Sequence, residues 1–310
     1  MIILFHILFS IYKRFVLYLF VFFIITSHII YLKKLSKIKT MKVCLCTIGK
    51  NENDYAIEFV NYYKNYSIDK IFIYDNNDVE GERFEYILNN YIKDKFVEII
   101  NYRGKNKIQL KYMNDCYQKN YQKYDWLLFY DFDEFIHLKE KNIKHFLISK
   151  KFNSCDKIYL NWVNHLDNDQ LKYKNESLFK RFPKFQYFFS EKKAFVKSMI
   201  RGKLENITIK NVHVLDYKRK SCNALGKKKI FKDNFTNKPD NISYYIDHFY
   251  FKSTEEYIKK RNKGDVFYGN SSRIGLNYID LYFKYNKITI EKINYFENKT
   301  GINLSKYKKI

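Results

Sequence analysis

The sequence predicts an α/β domain, a mostly parallel sheet flanked by helices, with a transmembrane helix in front of it. Three observations carry that expectation. Short apolar runs at residues 42–48, 71–74, 96–100 and 126–130 alternate with stretches of helical periodicity. Polar, acid-rich clusters follow three of those runs. Residues 15–32 contain no Asp, Glu, Lys or Arg.

That last stretch comes first along the chain. As a helix its 18 residues rise about 27 Å, close to the hydrocarbon core of about 30 Å. His28 is its one ionisable residue, and Lys33, Lys34, Lys37 and Lys39 close it. No small-residue cleavage site stands out, so a single-pass anchor is expected rather than a removed signal peptide. Lys13 and Arg14 precede the span and four lysines follow it. Positive-inside counting then puts the main domain on the cytoplasmic face, whereas a Golgi-type anchor needs the reverse. Met41 is an alternative start, because the soluble part begins there cleanly.

The 310 residues suffice for one large domain and a short appendage. Hydrophobic residues at 46% exclude a disordered chain, and 2 prolines and 9 glycines leave no room for a Pro/Gly-rich linker. The net charge of +24 favours anionic partners. The lysines are scattered, however, so most are read as solvated surface. The 5 cysteines are odd in number and lack a Cys-x-x-Cys pair, which indicates neither a zinc ribbon nor a disulfide framework. Cys44 and Cys46 are expected to pack as small apolar residues.

Within the soluble part, residues 42–48 read as a buried strand. Ala56, Phe59, Val60 and Tyr63 then repeat at helical spacing. Residues 71–74 form a second strand that ends in Asp75, Asn76, Asn77 and Asp78. Phe84, Ile87, Leu88 and Tyr91 repeat the helical spacing, residues 96–100 make a third strand, and a helix follows over about 107–121. Residues 126–130 are the fourth strand, ending in Asp131-Phe132-Asp133-Glu134. From Thr254 the chain reads as a helical, lysine- and aromatic-rich tail. The expected organisation is an anchor over 1–40, the α/β domain over 41–253 and the tail over 254–310. Parallel sheets bind ligands beyond the carboxyl ends of their strands, and the clusters at Lys50-Asn51-Glu52, 75–78 and 131–134 sit there.

Asp131 and Asp133 form an Asp-x-Asp at a strand end. In an extended chain residues i and i+2 point the same way, and two adjacent carboxylates call for a cation between them. A hard divalent ion, Mn²⁺ or Mg²⁺, suits such ligands and can neutralise a departing diphosphate.

The chain resembles the GT-A class of nucleotide-sugar glycosyltransferases, especially glycosyltransferase family 92 and its family 2-like relatives. Residues 47–78 (TIGKNENDYAIEFVNYYKNYSIDKIFIYDNND) are similar to the family's opening strand, Asn-Glu pair, helix and Asp-Asn strand end. Residues 131–136 (DFDEFI) resemble its D-x-D segment, and 158–165 (IYLNWVNH) its tryptophan strand. Residues 197–214 resemble its Lys, Arg and His stretch, and 247–265 its His, Tyr and Lys-Ser segment; the likeness runs to about Gly269. Val163-Asn164 stands where the family often has Phe-Gly, and the His-Tyr pair reads His248-Phe249-Tyr250.

The resemblance implies a hexose donor, a UDP- or GDP-sugar, and a glycan or glycolipid acceptor, with inversion at the transferred carbon. It implies that Lys50, Asn51 and Glu52 line the nucleotide pocket and that Asp75 meets the nucleoside. Asp131 and Asp133 would hold metal and diphosphate, with His248 as third ligand or phosphate contact. Lys252 and Arg201 are candidates to neutralise phosphate. An inverting enzyme needs a base for the acceptor hydroxyl; Asp167 is the candidate, near Asp169, and Glu134 its competitor. Three other readings stand beside this one: an inactive membrane-bound scaffold or lectin of the same fold, a basic nucleic-acid-binding protein, and a nucleotidyltransferase. No RNP, zinc-finger or helix-turn-helix signature supports nucleic acid as a partner, and no Gly-rich phosphate loop supports the nucleotidyltransferase.

Overall fold

The computed structural model describes residues 2–186, 194–231, 233–236, 243–264 and 275–308, with backbone alone for 2–11, 13 and 14. Asp265 and Gly269, the last residues of the family resemblance, lie outside the described residues. Two compact units are present, Met1–Met41 and Lys42–Ile310. The first is α1, Ile2–Thr40, an unbroken helix. Over Phe15–Thr40 it is long and apolar enough to cross a membrane, a test that an N-terminal signal sequence also passes.

The second unit opens with the expected α/β alternation. Strands β1 (Val43–Gly49), β2 (Lys70–Asp75), β3 (Val97–Asn101) and β4 (Trp126–Phe129) match the four apolar runs. Helix α2 (Asn53–Asn65) buries Tyr55, Ala56, Phe59, Val60 and Tyr63 on the face that the spacing of apolar residues predicts. The second periodic stretch is broken at Leu88 into α3 (Phe84–Ile87) and α4 (Asn89–Lys93), and α5 (Gln109–Asn120) follows β3. The four strands pair in parallel in the order β3-β2-β1-β4.

Beyond β4 the sheet becomes mixed. Next come β5 (Glu134–His137), α6 (Ile143–Leu147), β6 (Lys157–His165), α7 (Leu178–Arg181) and the short β7 (Phe185–Gln186). Strand β8 (Ala194–Arg201) inserts antiparallel between β4 and β6. Strands β9 (Ser221–Cys222), β10 (Lys228–Lys229), β11 (Phe235–Thr236) and β12 (Tyr245–His248) complete the sheet, with β12 parallel to β6 and antiparallel to β5. The last elements are α8 (Thr254–Asn262), α9 (Leu276–Tyr285) and α10 (Ile290–Thr300).

Residues 254–310 belong to the same compact unit as the sheet. Helices α8, α9 and α10 share a core built from Tyr257, Ile279, Tyr282, Ile293 and Phe296. Helix α8 is fixed at its start by a capping box between Ser253 and Glu256. Glu256 also accepts from the Tyr55 hydroxyl at 2.6 Å and from the Arg181 guanidinium at 3.0 Å, so one buried carboxylate ties α8 to α2 and α7. A buried charge held by this many donors keeps its cost low; removing one partner would strand the rest.

The cysteine reading needs correction. Cys46 is bonded to Cys116 and Cys155 to Cys222, leaving Cys44 as a buried free thiol. The partners are 70 and 67 residues apart, a distance at which no local spacing pattern exists. Closing loops of that length stabilises by about 4 kcal/mol each in the chain-entropy account. Under denaturing, non-reducing conditions an alkylating reagent is expected to add one mass increment per chain, and five after reduction. Three or more increments before reduction would contradict the pairing.

Candidate active site

The carboxyl ends of β1, β2 and β4 open into a cavity of about 480 Å³. Its walls come from the loops after β1, β2 and β3, the turn after β4, β6, β8, the 210–213 segment, β12 and α8. Seven cationic side chains face three carboxylates, Glu52, Asp131 and Asp133. That balance suits an anion with two or more charges.

The turn after β4 sets the geometry. The chain does not stay extended through Asp131-Phe132-Asp133: the Glu134 amide donates to the Asp131 carbonyl at 3.0 Å. The pleat therefore does not aim the two carboxylates alike. Phe132 fills the turn, stacked on Phe84 at 5.2 Å and packed on Phe59 at 4.8 Å. It lies so close to Gly49 that a Cβ there would sit 2.6 Å from the ring.

Each carboxylate has its own lysine. Lys197 Nζ donates to Asp131 at 2.8 Å and lies 3.2 Å from Glu134. Burial would lower the Lys197 pKa, but Asp131 and Glu134 outweigh it and hold the ammonium above its ordinary range. Lys260 Nζ donates to Asp133 at 2.5 Å. Burial acts to raise the Asp133 pKa, yet Lys260, His248 and Lys252 hold it well below the usual carboxylate range. His248 Nε2 stands 3.7 Å from Asp133, while its Nδ1 finds no partner among the described residues. Burial, with Lys260 and Lys197 adding to it, keeps the imidazole neutral against the pull of Asp133. Trp162 packs against His248 at 4.2 Å, and its Nε1 is also unpartnered among the described residues.

The cavity unites some of the sequence candidates and leaves others out. Lys50, Glu52, Asp131, Asp133 and His248 line it. Asn51 and Lys252 line a neighbouring cleft instead, where Lys252 lies 3.5 Å over the Tyr55 ring. Asp75 is fully buried away from the cavity, held by Arg103 at 2.6 Å and by the side-chain amide of Asn77; its neighbour Asn76 reaches the wall. Arg201 is at the other end of the sheet, because antiparallel β8 pairs it with Trp126 at the start of β4. It donates there to the Cys155 and Phe152 carbonyls. Asp167 does not line the cavity: Lys292 at 2.6 Å and Tyr282 hold it, so it clamps α9 and α10 to the end of β6. Glu134 is fully buried behind Asp131. Burial pushes it up to about 8, Lys197 opposing and Asp131 and Asp133 adding. Glu134 does not line the cavity, so it is out of reach of an acceptor hydroxyl bound there.

Sequence reasoning missed Lys197, His213, Lys260 and Arg261, all on the cavity wall. The first two lie inside the segment that resembles the family's Lys, Arg and His stretch, and the strand direction of β8 is what selects Lys197 over Arg201. The expected hard cation meets a donor set that does not fit it. Among the described residues no three His, Cys, Asp or Glu side chains converge as a metal site, and both aspartates already carry an ammonium partner.

The rim of the sheet thus opens an Asp-x-Asp turn onto a cationic cavity. The chain belongs to glycosyltransferase family 92, whose family description matches residues 39–260. Among solved structures it is similar to TarS of S. aureus: 12% identity and a TM-score of 0.35, covering 84% of this chain and 48% of that one. It thus spans about half of that chain. The 1–349 portion of TarS in complex with UDP-GlcNAc gives 12% identity and a TM-score of 0.37, covering 84% and 80%. No curated protein matches.

Gly49→Ala is expected to push Phe132 out of the turn. Overpacking of this kind costs about 1–3 kcal/mol, read as a fall in Tm of several degrees. An unchanged Tm would show that the turn yields freely.

Proposed function

We propose that the protein transfers a hexose from a nucleotide-sugar, a UDP- or GDP-sugar, to a hydroxyl of a glycan or glycolipid acceptor. The observation that carries this reading is the cationic cavity around the Asp131–Asp133 turn, in a chain of family 92. In a single displacement the acceptor oxygen bonds to the anomeric carbon as that carbon's bond to the diphosphate breaks, with inversion. The bonding pair leaves on the nucleoside diphosphate, and the acceptor proton passes to a carboxylate. Asp131 is the cavity carboxylate with the greatest side-chain exposure, 36%, and is the base this reading favours over Asp167 and Glu134. The Trp162 ring supplies an apolar face of the kind on which a sugar ring stacks.

The reading extends to a chain held at a membrane by α1. Two disulfides favour the oxidising side for the transferase domain, the reverse of what the lysine count around the span favours.

Donor turnover by the full chain in detergent tests this reading, followed as nucleoside diphosphate release across a panel of nucleotide-sugars and glycan acceptors. One donor is expected to give acceptor-dependent release, reduced about 10²–10³-fold in the Asp131→Ala, Asp133→Ala double variant. A folded protein that neither releases nor binds any nucleotide would contradict the reading and favour a scaffold.

A further inference from the structure

We propose that side chains of the chain itself, Lys197, Lys260 and Arg261, neutralise the donor diphosphate, so that transfer needs no divalent cation. This deepens the transferase reading and rests on it.

In an Asp-x-Asp site the double charge of a divalent ion offsets the aspartates and the charge that grows on the leaving diphosphate. Two ammonium groups carry the same charge, and here they stand on the same two carboxylates. Lys260 Nζ lies 2.5 Å from Asp133 Oδ2. A Mg²⁺ ion taking that oxygen would have to approach it to about 2.1 Å, which requires the ammonium to leave. Lys197 holds Asp131 in the same way from a fully buried position on β8. Neither lysine is a wandering surface cation. Antiparallel pairing on β4 and β6 fixes Lys197, and the Glu256 network and capping box fix the helix that carries Lys260.

Arg261 adds an independent observation. Its side chain is buried on the cavity wall, and its Nε and Nη2 meet no acceptor among the described residues. No carboxylate among the described residues pairs with it. Its charge is instead held over the rings of Tyr250, Tyr257 and Tyr278, at 4.8, 4.9 and 4.6 Å. A guanidinium stacked in this way keeps its hydrogen-bonding edge for an anion, and a diphosphate offers paired oxygens to a planar fork. As the anomeric bond breaks, the diphosphate gains one negative charge. These three cations are in place to offset it without reorganisation, and the acceptor proton goes to the carboxylate base.

The experiment is turnover by the full chain in detergent, freed of metal by chelating resin, in EDTA and separately with Mn²⁺. The probe is the donor found active in the panel. Rates within about two-fold of each other support the proposal. Turnover abolished by EDTA and restored by Mn²⁺ overturns it and leaves the transferase reading standing. No turnover of any donor under either condition overturns both. In EDTA, Lys260→Met is expected to lower kcat about 10²-fold; an unchanged kcat would count against the proposal. If that variant does not fold, Arg261→Gln makes the same comparison. Calorimetric binding of UDP or GDP to the unaltered chain in EDTA is a further readout: binding supports the proposal, and binding that appears only with Mn²⁺ overturns it.

Discussion

Asp133 is a carboxylate almost wholly removed from water, and a buried charge persists only where an opposite charge meets it. That constraint shapes the second half of the fold. Lys260 meets it from α8, so α8 must lie over the rim of a sheet laid down more than a hundred residues earlier. Helix α8 is held there by Glu256, which reaches back to Tyr55 on α2 and Arg181 on α7. One step away the buried charge is the lysine's, and Asp131 meets it. Its lysine arrives on β8, and β8 must run antiparallel beside β4 for residue 197 to come level with the end of that strand. The Asp-x-Asp turn is thus the point on which the parallel half, the mixed half and the C-terminal helices converge.

The polarity of the cavity follows from this arrangement. Its carboxylates are compensated by lysines, and Arg261, Lys105 and Lys210 remain with no carboxylate partner among the described residues. Such a site is pre-organised for an anion, because its charges are fixed by the fold before any ligand enters. Phe132, wedged against Gly49 and Phe84, keeps the turn from relaxing toward an extended strand.

Much of the first half was legible in the sequence, for physical reasons. Buried parallel strands must be apolar runs, and a helix with one buried face must repeat its apolar residues near every third or fourth position. Ala56, Phe59, Val60 and Tyr63 therefore marked α2, and residues 126–130 marked β4. Strand ends of a parallel sheet share one rim, which placed Lys50, Glu52 and Asp131 together. The second half was less legible because its determinants are pairings between distant residues. Whether β8 runs parallel or antiparallel is not written in its own residues, yet it decides that Lys197 reaches the rim and Arg201 does not. Asp75 follows a strand as a ligand-binding residue would, and only tertiary structure shows Arg103 against it. Asp167 looked like a free carboxylate because Lys292 lies more than a hundred residues away. The two disulfides escaped for the same reason.

Lysines hold one oxygen each of Asp131 and Asp133, and transfer without a divalent ion turns on that pairing. Titration of Mn²⁺ onto the full chain, with electron paramagnetic resonance following the free aqueous ion, tests it most directly. The six-line signal of free Mn²⁺ is expected to grow in proportion to the metal added, with or without nucleoside diphosphate beyond what the nucleotide itself binds. Stoichiometric loss of that signal in the unaltered chain, abolished in an Asp131→Asn, Asp133→Asn variant, would contradict it.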